Sequence, residues 1–272
     1  MHPDLHIGGM TIATYTVAQL IAITVAGLLA FHRLGRLQLP HRPLLTSIAL
    51  IIPGGALGGL IVPLIITALQ RLLAPHVVAD WGGSSVLGVL SGGALVALGC
   101  CRYYGVPAGR AFDLGGVPLP LGQAIGRLGC TAAGCCYGAV TGSPLGFYMP
   151  TDDGEWAVRY PTQPLSAGLD LLIFIALLAV ERYGDNRLRA ASQADPGRTW
   201  PFNGFMFLLF ALLYCLKRLG MEFLRGDALP PLLGPLNLVQ LLCLAVIVVS
   251  GVFIARNSTP RREGAKTQRL IG

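Results

Sequence analysis

Apolar residues in this chain fall into long runs, and the polar residues collect between the runs. A helix needs about 17–25 predominantly apolar residues to cross a bilayer, and seven runs reach that length. They cover Thr11–Phe31, Pro43–Leu69, Ser84–Tyr104, Leu114–Gly134, Pro164–Val180, Trp200–Leu219 and Leu232–Ala255. The pattern predicts an all-α, multi-pass membrane protein with about seven transmembrane helices. One integral domain, residues 1–255, is followed by a basic tail over residues 256–272.

Three of these runs contain residues that disturb or tighten a regular helix. Pro53 and Pro63 fall inside the second run, where a kink or break is expected, tolerated only if neighbouring helices satisfy the freed backbone groups. The fourth run holds several glycines and Pro118, and it is expected to be partly irregular or re-entrant. Gly88 and Gly92, four residues apart in the third run, predict close packing against another helix.

The distribution of charge predicts the orientation of the chain. Hydrophobic residues make up 53% of it and charged residues only 12%, about half the usual share for a soluble domain. Most of the 20 lysines and arginines fall in alternate connecting loops, which places the N-terminus outside and the C-terminus in the cytoplasm. This topology and attraction to anionic lipid headgroups explain the net charge of +7, and no nucleic acid partner is expected.

The segment Leu121–Gly138, LGQAIGRLGCTAAGCCYG, places one arginine among small residues and three cysteines. A charge at bilayer depth costs a few kcal/mol or more unless a partner compensates it. Arg127 is therefore expected to face an anion. This segment is the first candidate for a site of binding or chemistry.

A second polar segment, YCLKRLGMEFLRGD, follows the sixth run. Four of its residues recur at spacings that share one helix face: Tyr214, Arg218, Glu222 and Arg225. One interpretation is a stripe at the membrane border, with arginines reaching the headgroups and Glu222 pairing with one of them. The other is that Arg127 and this stripe converge on a phosphate, since arginine forks bind phosphate oxygens bidentately. In a membrane-embedded pocket the nearest abundant phosphate is a phospholipid headgroup.

The cysteines next to Arg127 allow three interpretations. A disulfide from Cys130 to Cys135 or Cys136 could fasten the loop after the fourth run on the oxidising side of the membrane. The three could instead only pack, or one could be a thiolate whose pKa Arg127 lowers. A zinc site is not expected, because only one C-x4-C-C cluster exists and no histidine follows at ligand spacing. The other four cysteines are interpreted as apolar filler: Cys100, Cys101, Cys215 and Cys243.

The segment Tyr148–Tyr160 is the largest predicted outer loop. It carries acidic residues together with Trp156 and Arg159. It is interpreted either as a solvated surface loop or as a cap over the pocket.

Several blocks of the chain resemble the prolipoprotein diacylglyceryl transferase family, bacterial inner-membrane enzymes that use phosphatidylglycerol. The block GQAIGRLGCTAAGCCYG is similar to the family signature, and YCLKRLGMEFLRGD is similar to its later Tyr-x-x-x-Arg-x-x-x-Glu-Phe-x-Arg stretch. Pro161, Thr162 and Gln163 resemble its Pro-Ser/Thr-Gln motif, and Tyr15 stands where the family has a tyrosine in the first span.

The resemblance implies transfer of a diacylglyceryl group from phosphatidylglycerol to the lipobox cysteine of a prolipoprotein, with no cofactor and in a multi-pass inner-membrane protein. It implies catalytic roles for Arg127 on the lipid phosphate, Arg218 as a second arginine, and Glu222 as its orienting group or a proton carrier. Seven residues would bind substrate: Tyr15, Gln123, Gly126, Cys130, Cys135, Gly138 and Arg225.

The chain departs from the family pattern at four positions. The family's functional histidine falls on Leu87, and its glutamate after Pro-Ser-Gln falls near Ser166. The signature asparagine falls on Cys130 and the signature glutamate on Cys135.

A base would then have to come from Glu222, Asp113 or a cysteine thiolate. Two other hypotheses use the same scaffold without the standard activity. One is a phospholipid-binding protein without catalysis or with altered specificity, and the other is a thiol-redox membrane protein.

Overall fold

A computed structural model describes residues 4–7, 10–73, 86–151, 153–190, 197–228 and 231–258. Within these ranges the chain forms eight helices and two antiparallel hairpins. The helices are α1 (Thr14–Arg33), α2 (His41–Leu73), α3 (Val86–Tyr103), α4 (Ala108–Gly116), α5 (Pro118–Ala133), α6 (Thr162–Ala190), α7 (Phe205–Glu222) and α8 (Leu238–Ser258). The hairpins pair β1 (Asp4–Ile7) with β2 (Met10–Ala13), and β3 (Phe147–Pro150) with β4 (Trp156–Arg159).

The predicted helical membrane architecture is confirmed at the level of composition and length. Four helices in the described part of the chain are long and apolar enough to cross a membrane: α1, the part of α2 over His41–Ile65, α6 and α8. The two hairpins were not predicted, because strands of four residues are too short to show an alternating pattern.

The fourth apolar run is not one helix. Val117 separates α4 from α5. Pro118 begins α5, where its missing N–H costs nothing, because the first amides of a helix have no partner within it. In α2, by contrast, the helix continues through Pro53 and Pro63, so a complete break there does not occur.

Glycines hold α2 and α3 in close contact, as the spacing of Gly88 and Gly92 predicted. A Cβ atom added at Gly58 would lie 2.2 Å from the carbonyl oxygen of Gly88, and one at Gly92 would lie 2.4 Å from that of Gly54. The two backbones therefore touch directly along this seam, which is how small residues bring membrane helices together.

Replacement of Gly58 by alanine is expected to push α2 and α3 apart. The new methyl group meets backbone atoms that cannot rotate away, and such overpacking costs typically about 1–3 kcal/mol. Gly27→Ala in α1 is the matched control, since nothing lies within 4 Å of a Cβ there. Thermal unfolding in detergent measures both variants. Equal melting temperatures would show that the seam does not contribute to stability.

Buried charges join helices at one end of the bundle, here called the Asp113 end. The Arg33 guanidinium, at the end of α1, forms an ion pair with Glu181 of α6, and both side chains are nearly inaccessible. Arg36 also contacts Glu181, and it binds Asp185 at 2.9 Å. A bidentate arginine–carboxylate pair of this kind positions two helices by geometry as well as by charge.

Asp113 anchors the beginning of α7 and is fully buried. Its carboxylate accepts hydrogen bonds from Thr199 Oγ1 at 2.6 Å, Gly204 N at 2.7 Å and Phe207 N at 3.0 Å. A carboxylate at a helix N-terminus satisfies amides that have no partner within the helix and is favoured by the helix dipole. The sequence offered Asp113 as a possible base, but in the structure its carboxylate holds the beginning of α7 in place.

The apolar core lies next to this anchor. Side chains of α6 and α7 pack there with the beginning of α5 through Val117, Ile173, Leu177, Phe205, Met206 and Phe210. This packing fixes α7 along its length, so the residues near its other end have a defined position.

Candidate functional site

A polar pocket lies at the end of the bundle opposite Asp113, between the second half of α5, the first turns of α6 and the last turns of α7. Its lining residues are Arg127, Cys136, Thr162, Ser166, Lys217, Arg218, Met221 and Arg225. The three arginines that the sequence singled out therefore meet in one place. Of the two interpretations of the polar segment, this geometry agrees with the one in which Arg127 and that segment converge.

The cations of this pocket differ in their pairing. Arg218 Nη2 lies 2.8 Å from Glu222 Oε2, and Arg225 binds Asp227 at 2.6 Å and 2.9 Å. Arg127 interacts electrostatically with the Tyr214 phenol and neighbouring thiols, but no carboxylate of a described residue lies within ion-pair distance of it. A partly buried guanidinium without a carboxylate is a position where an anion gains stabilisation.

Arg225 reaches the pocket by a route that differs from the prediction. The helix α7 ends at Glu222, so Arg225 is not on its polar face. It lies instead in an extended segment that forms a β-bridge with Gly138. Gly226 permits this close approach, since a Cβ there would lie 2.9 Å from the carbonyl oxygen of Gly138.

A capping box at the start of α8 positions Glu222. Asn237 and Gln240 exchange hydrogen bonds between side chains and backbone amides at 2.9 Å and 3.0 Å. The remaining donor of Asn237, Nδ2, binds Glu222 Oε1 at 2.9 Å. Both carboxylate oxygens of Glu222 thus have partners, and the arrangement favours an orienting role towards Arg218. The sequence signal for the cap was an Asn-x-x-Gln pattern before an apolar run.

Lys217 is a fourth cation in the pocket, and the sequence pattern did not single it out. Its Nζ atom lies 2.6 Å from Asp170 Oδ1, 3.2 Å from Ser166 Oγ and 4.7 Å from the ring centroid of Tyr214. Both members of the Lys217–Asp170 pair are buried. Asp170 Oδ2 has no hydrogen-bond partner among the described residues. The pair lies in the pocket wall between α6 and α7.

Three cysteines converge beside Arg127. The Sγ atoms of Cys130, Cys135 and Cys136 all lie within 4.8 Å of one another, and all three are free thiols. The disulfide that the sequence allowed is therefore not formed in this structure. Gly134 ends α5 with a positive φ of 78°, and Cys136 follows with a φ of 60°, which is uncommon for a residue with a side chain. This backbone folds the loop back so that its thiols face Cys130.

Two residues of the Pro-Thr-Gln motif hold this cysteine loop in place. Thr162 Oγ1 donates a hydrogen bond to the carbonyl oxygen of Cys136 at 2.9 Å, and Gln163 Nε2 donates to that of Cys135 at 3.0 Å. Thiol contacts from Cys130 and Cys135, followed by the guanidinium groups of Arg225 and Arg127, lower the pKa of Cys136. Thr162 and Gln163 of the Pro-Thr-Gln motif therefore fix the position of the loop that carries Cys135 and Cys136.

Three other predicted site residues, Tyr15, Gly126 and Gln123, do not line the pocket. Tyr15, at the start of α1, packs its backbone against Gly129 and interacts electrostatically with the three thiols. Gly126 faces the side chain of Gln19, with 3.3 Å between its added Cβ and Nε2. Gln123 has a buried carbonyl oxygen without a hydrogen-bond partner among the described residues.

Gly138 makes its close contact with the protein itself. A Cβ atom there would lie 2.1 Å from the carbonyl oxygen of Tyr160, so the glycine lets two backbone segments touch. The side chain of Leu87, the position where the resemblance places a histidine, lies outside the part of the chain described.

The predicted outer loop is the β3–β4 hairpin. Tyr148 and Trp156 pack together on its exposed face, with ring centroids 5.2 Å apart. Arg159 is buried and lies over the ring of Tyr137 at 4.9 Å. The hairpin is therefore attached to the segment after the cysteine loop and is more than a solvated connection.

Comparison with known proteins identifies the family. A family model described as prolipoprotein diacylglyceryl transferase matches residues 4–256. The chain is 29% identical over 206 residues to a phosphatidylglycerol–prolipoprotein diacylglyceryl transferase of Clostridium tetani, covering 74% of this chain and 75% of that one. A relative of the same name from Clostridium perfringens, numbered 2, is 30% identical over 80% of this chain and 81% of its own. Another, from Gloeobacter violaceus, is 28% identical over 91% of this chain and 89% of its own. The chain belongs to the prolipoprotein diacylglyceryl transferase family.

Proposed function

We propose that this protein is a membrane enzyme that transfers a diacylglyceryl group from phosphatidylglycerol to the lipobox cysteine of prolipoproteins. The observation that carries the proposal is Arg127, a cation without a carboxylate partner among the described residues, in a pocket with Lys217, Arg218 and Arg225. A phospholipid phosphate supplies the missing negative charge. The names of the relatives from Clostridium tetani and Clostridium perfringens give phosphatidylglycerol as the donor and a prolipoprotein as the acceptor.

The transfer requires substitution at a glycerol carbon of the lipid. The acceptor sulfur forms a bond to the carbon that carries the phosphate ester, and the carbon–oxygen bond breaks. Glycerol phosphate leaves with the bonding electrons, and the thiol proton goes to a base. Negative charge grows on the leaving phosphate oxygen, so preorganised guanidinium groups beside it lower the barrier. Arg127 and Arg218 take this role in the proposal, with Glu222 orienting Arg218.

The remaining site assignments are proposals with different physical support. Arg225 lines the pocket and can contact the lipid phosphate. Tyr15 of α1 lies near the thiols, and Gln123 of α5 has a buried carbonyl oxygen without a hydrogen-bond partner among the described residues; both are proposed to contact the lipid glycerol or headgroup. Gly126 and Gly138 contribute by allowing close packing around the pocket.

The proposed topology has about seven membrane spans with the N-terminus outside and the basic tail, residues 256–272, in the cytoplasm. In this arrangement the Asp113 end faces the cytoplasm. The pocket and the β3–β4 hairpin then lie on the outer side of the bacterial inner membrane. This is the side on which an acceptor segment is presented after export.

Purified protein supplied with labelled phosphatidylglycerol and a lipobox peptide is expected to release glycerol phosphate and to form a lipidated peptide. A peptide with serine in place of the cysteine is the control, because an alcohol is a far weaker nucleophile than a thiolate. Mass spectrometry of the peptide and counting of the released label measure both products. Binding of the lipid without any release would contradict the transferase proposal and support a lipid-binding protein instead.

A further inference from the structure

We propose that Cys130, Cys135 and Cys136 form a three-thiolate zinc site whose fourth coordination position receives the acceptor thiol. The metal site itself stands on the geometry of the chain. The identity of the acceptor rests on the proposed function. Nothing in the comparisons assigns a metal to this protein.

The spacing of the three sulfur atoms suits a zinc ion. Zinc–sulfur bonds of about 2.3 Å in a tetrahedral arrangement separate the sulfurs by about 3.8 Å. The observed Sγ atoms lie within 4.8 Å of one another, so small side-chain rotations bring them to that distance. A closed structural zinc site needs a fourth protein ligand, which the C-x4-C-C cluster lacks. Catalytic zinc sites have three protein ligands and keep the fourth position open for water or substrate.

The loop that carries two of the ligands is fixed before any metal binds. Thr162 and Gln163 hold the carbonyl groups of Cys136 and Cys135, as described above. Cys130 lies one turn back on α5, and its carbonyl oxygen is 4.0 Å from the sulfur of Cys135. Outer groups that orient the ligands are a regular part of metal sites. The three thiols are therefore preorganised and need no new fold to converge.

The positive charge around the three cysteines suits an anionic zinc–thiolate complex. Three thiolates and one divalent ion give a complex with a single negative charge, and a fourth thiolate adds another. The guanidinium groups of Arg127 and Arg225 line the same pocket as Cys136, so two positive charges lie beside its sulfur. A buried anionic complex is stable when cations compensate it in this way. The same arginines place the lipid phosphate next to the metal.

A zinc ion at this site would ionise the acceptor thiol. None of the described residues that line the pocket is a histidine, and the carboxylates beside it, Asp170, Glu222 and Asp227, are each paired with a cation. Coordination by zinc deprotonates a thiol outright, so no separate base has to remain in contact with it.

Transfer of the diacylglyceryl group would then proceed from a zinc-bound acceptor thiolate. The acceptor S–H group binds the zinc ion as a thiolate and releases its proton to water. Its sulfur forms a bond to the glycerol carbon, the carbon–oxygen bond to the phosphate breaks, and glycerol phosphate leaves. The product is a neutral thioether, a weaker ligand than a thiolate, so it dissociates and reopens the fourth position.

Metal binding to the reduced full-length protein tests the site without any activity measurement. Zinc is expected to bind stoichiometrically, and cobalt(II) in its place is expected to show thiolate-to-metal charge-transfer absorption. Both signals are lost in Cys135→Ser and in Cys136→Ser. The double variant Cys215→Ser with Cys243→Ser is the matched control and retains them, because those two cysteines belong to α7 and α8. Gln163→Leu is expected to weaken metal affinity by about 10–100-fold.

A lipobox peptide added to the cobalt form is expected to change the visible absorption bands, whereas its serine analogue leaves them unchanged. Failure of the reduced protein to retain zinc or cobalt overturns the metal site. Retention of cobalt with no response to the cysteine peptide overturns the acceptor role. A response to the peptide without release of glycerol phosphate would overturn the transferase proposal while the metal site stands, so the two failures are distinguishable.

Discussion

Arg127→Ala is expected to lower the release of glycerol phosphate by about 100- to 1,000-fold, the range for loss of one preorganised donor to a developing charge. Arg127 is the pocket cation without a carboxylate partner among the described residues, so its loss removes positive charge that no internal acid balances. The protein should still fold, since the side chain forms no ion pair that joins two of the described elements. Turnover of labelled phosphatidylglycerol measures the effect.

Two further variants separate the charge of Arg127 from its shape. Arg127→Lys keeps the charge but loses the planar fork, and it should retain only part of the activity. Arg182→Ala removes an exposed arginine of α6 near the Asp113 end and serves as the control with unchanged turnover. If Arg127→Ala and Arg182→Ala turn over the lipid at the same rate, the pocket is not the phosphate site.

The second large effect concerns stability. Asp170→Asn is expected to destabilise the protein by about 3–5 kcal/mol, because it leaves Lys217 as a buried charge without its partner. The double variant Asp170→Leu with Lys217→Met should recover most of this loss, since an apolar pair of similar volume often replaces a buried ion pair without cost. Unfolding by denaturant in mixed micelles gives the free energy difference.

Asp185→Asn is the matched control on the same helix. The Asp185 side chain is 28% accessible and pairs with Arg36, which is 31% accessible, so its neutralisation should cost at most about 1 kcal/mol. Equal losses for Asp170→Asn and Asp185→Asn would show that burial does not strengthen the first pair. A double variant no more stable than Asp170→Asn would point to a packing role for the two side chains.

The sequence predicted those features that depend on local spacing or on the cost of a charge in lipid. The apolar runs located α1, α2, α3, α6, α7 and α8, because bilayer thickness sets a minimum length for a spanning helix, whereas the fourth run is divided between α4 and α5. The i,i+4 spacing placed Arg218 and Glu222 on one helix face, and pairing of Glu222 with one arginine was one of the two interpretations; the ion pair is present at 2.8 Å. The meeting of Arg127 with Arg218 was one of two interpretations of the polar segment, and it rested on the preference of arginine for phosphate oxygens.

Features that depend on distant parts of the chain were not predictable in this way. Lys217 and Asp170 belong to different helices, and nothing in either local sequence specifies their contact. Asn237 reaches Glu222 only because α8 begins beside the end of α7. The convergence of the three thiols depends on backbone angles at Gly134 and Cys136, and their residue types alone do not encode those angles.

One end of α7 is anchored by Asp113, and the other end lines the pocket; a fixed number of residues separates the two. Asp113 binds the amide of Phe207 at one end, and Arg218 lines the pocket about 16 Å further along the helix axis. Each residue of a helix adds about 1.5 Å and a rotation of about 100°. One inserted or deleted residue between these positions would therefore turn the guanidinium out of the pocket while every anchor at the first end stayed intact. α7 thus sets the depth and direction of Arg218 by its length, which leaves this segment far less tolerant of insertions than the loops on either side of it.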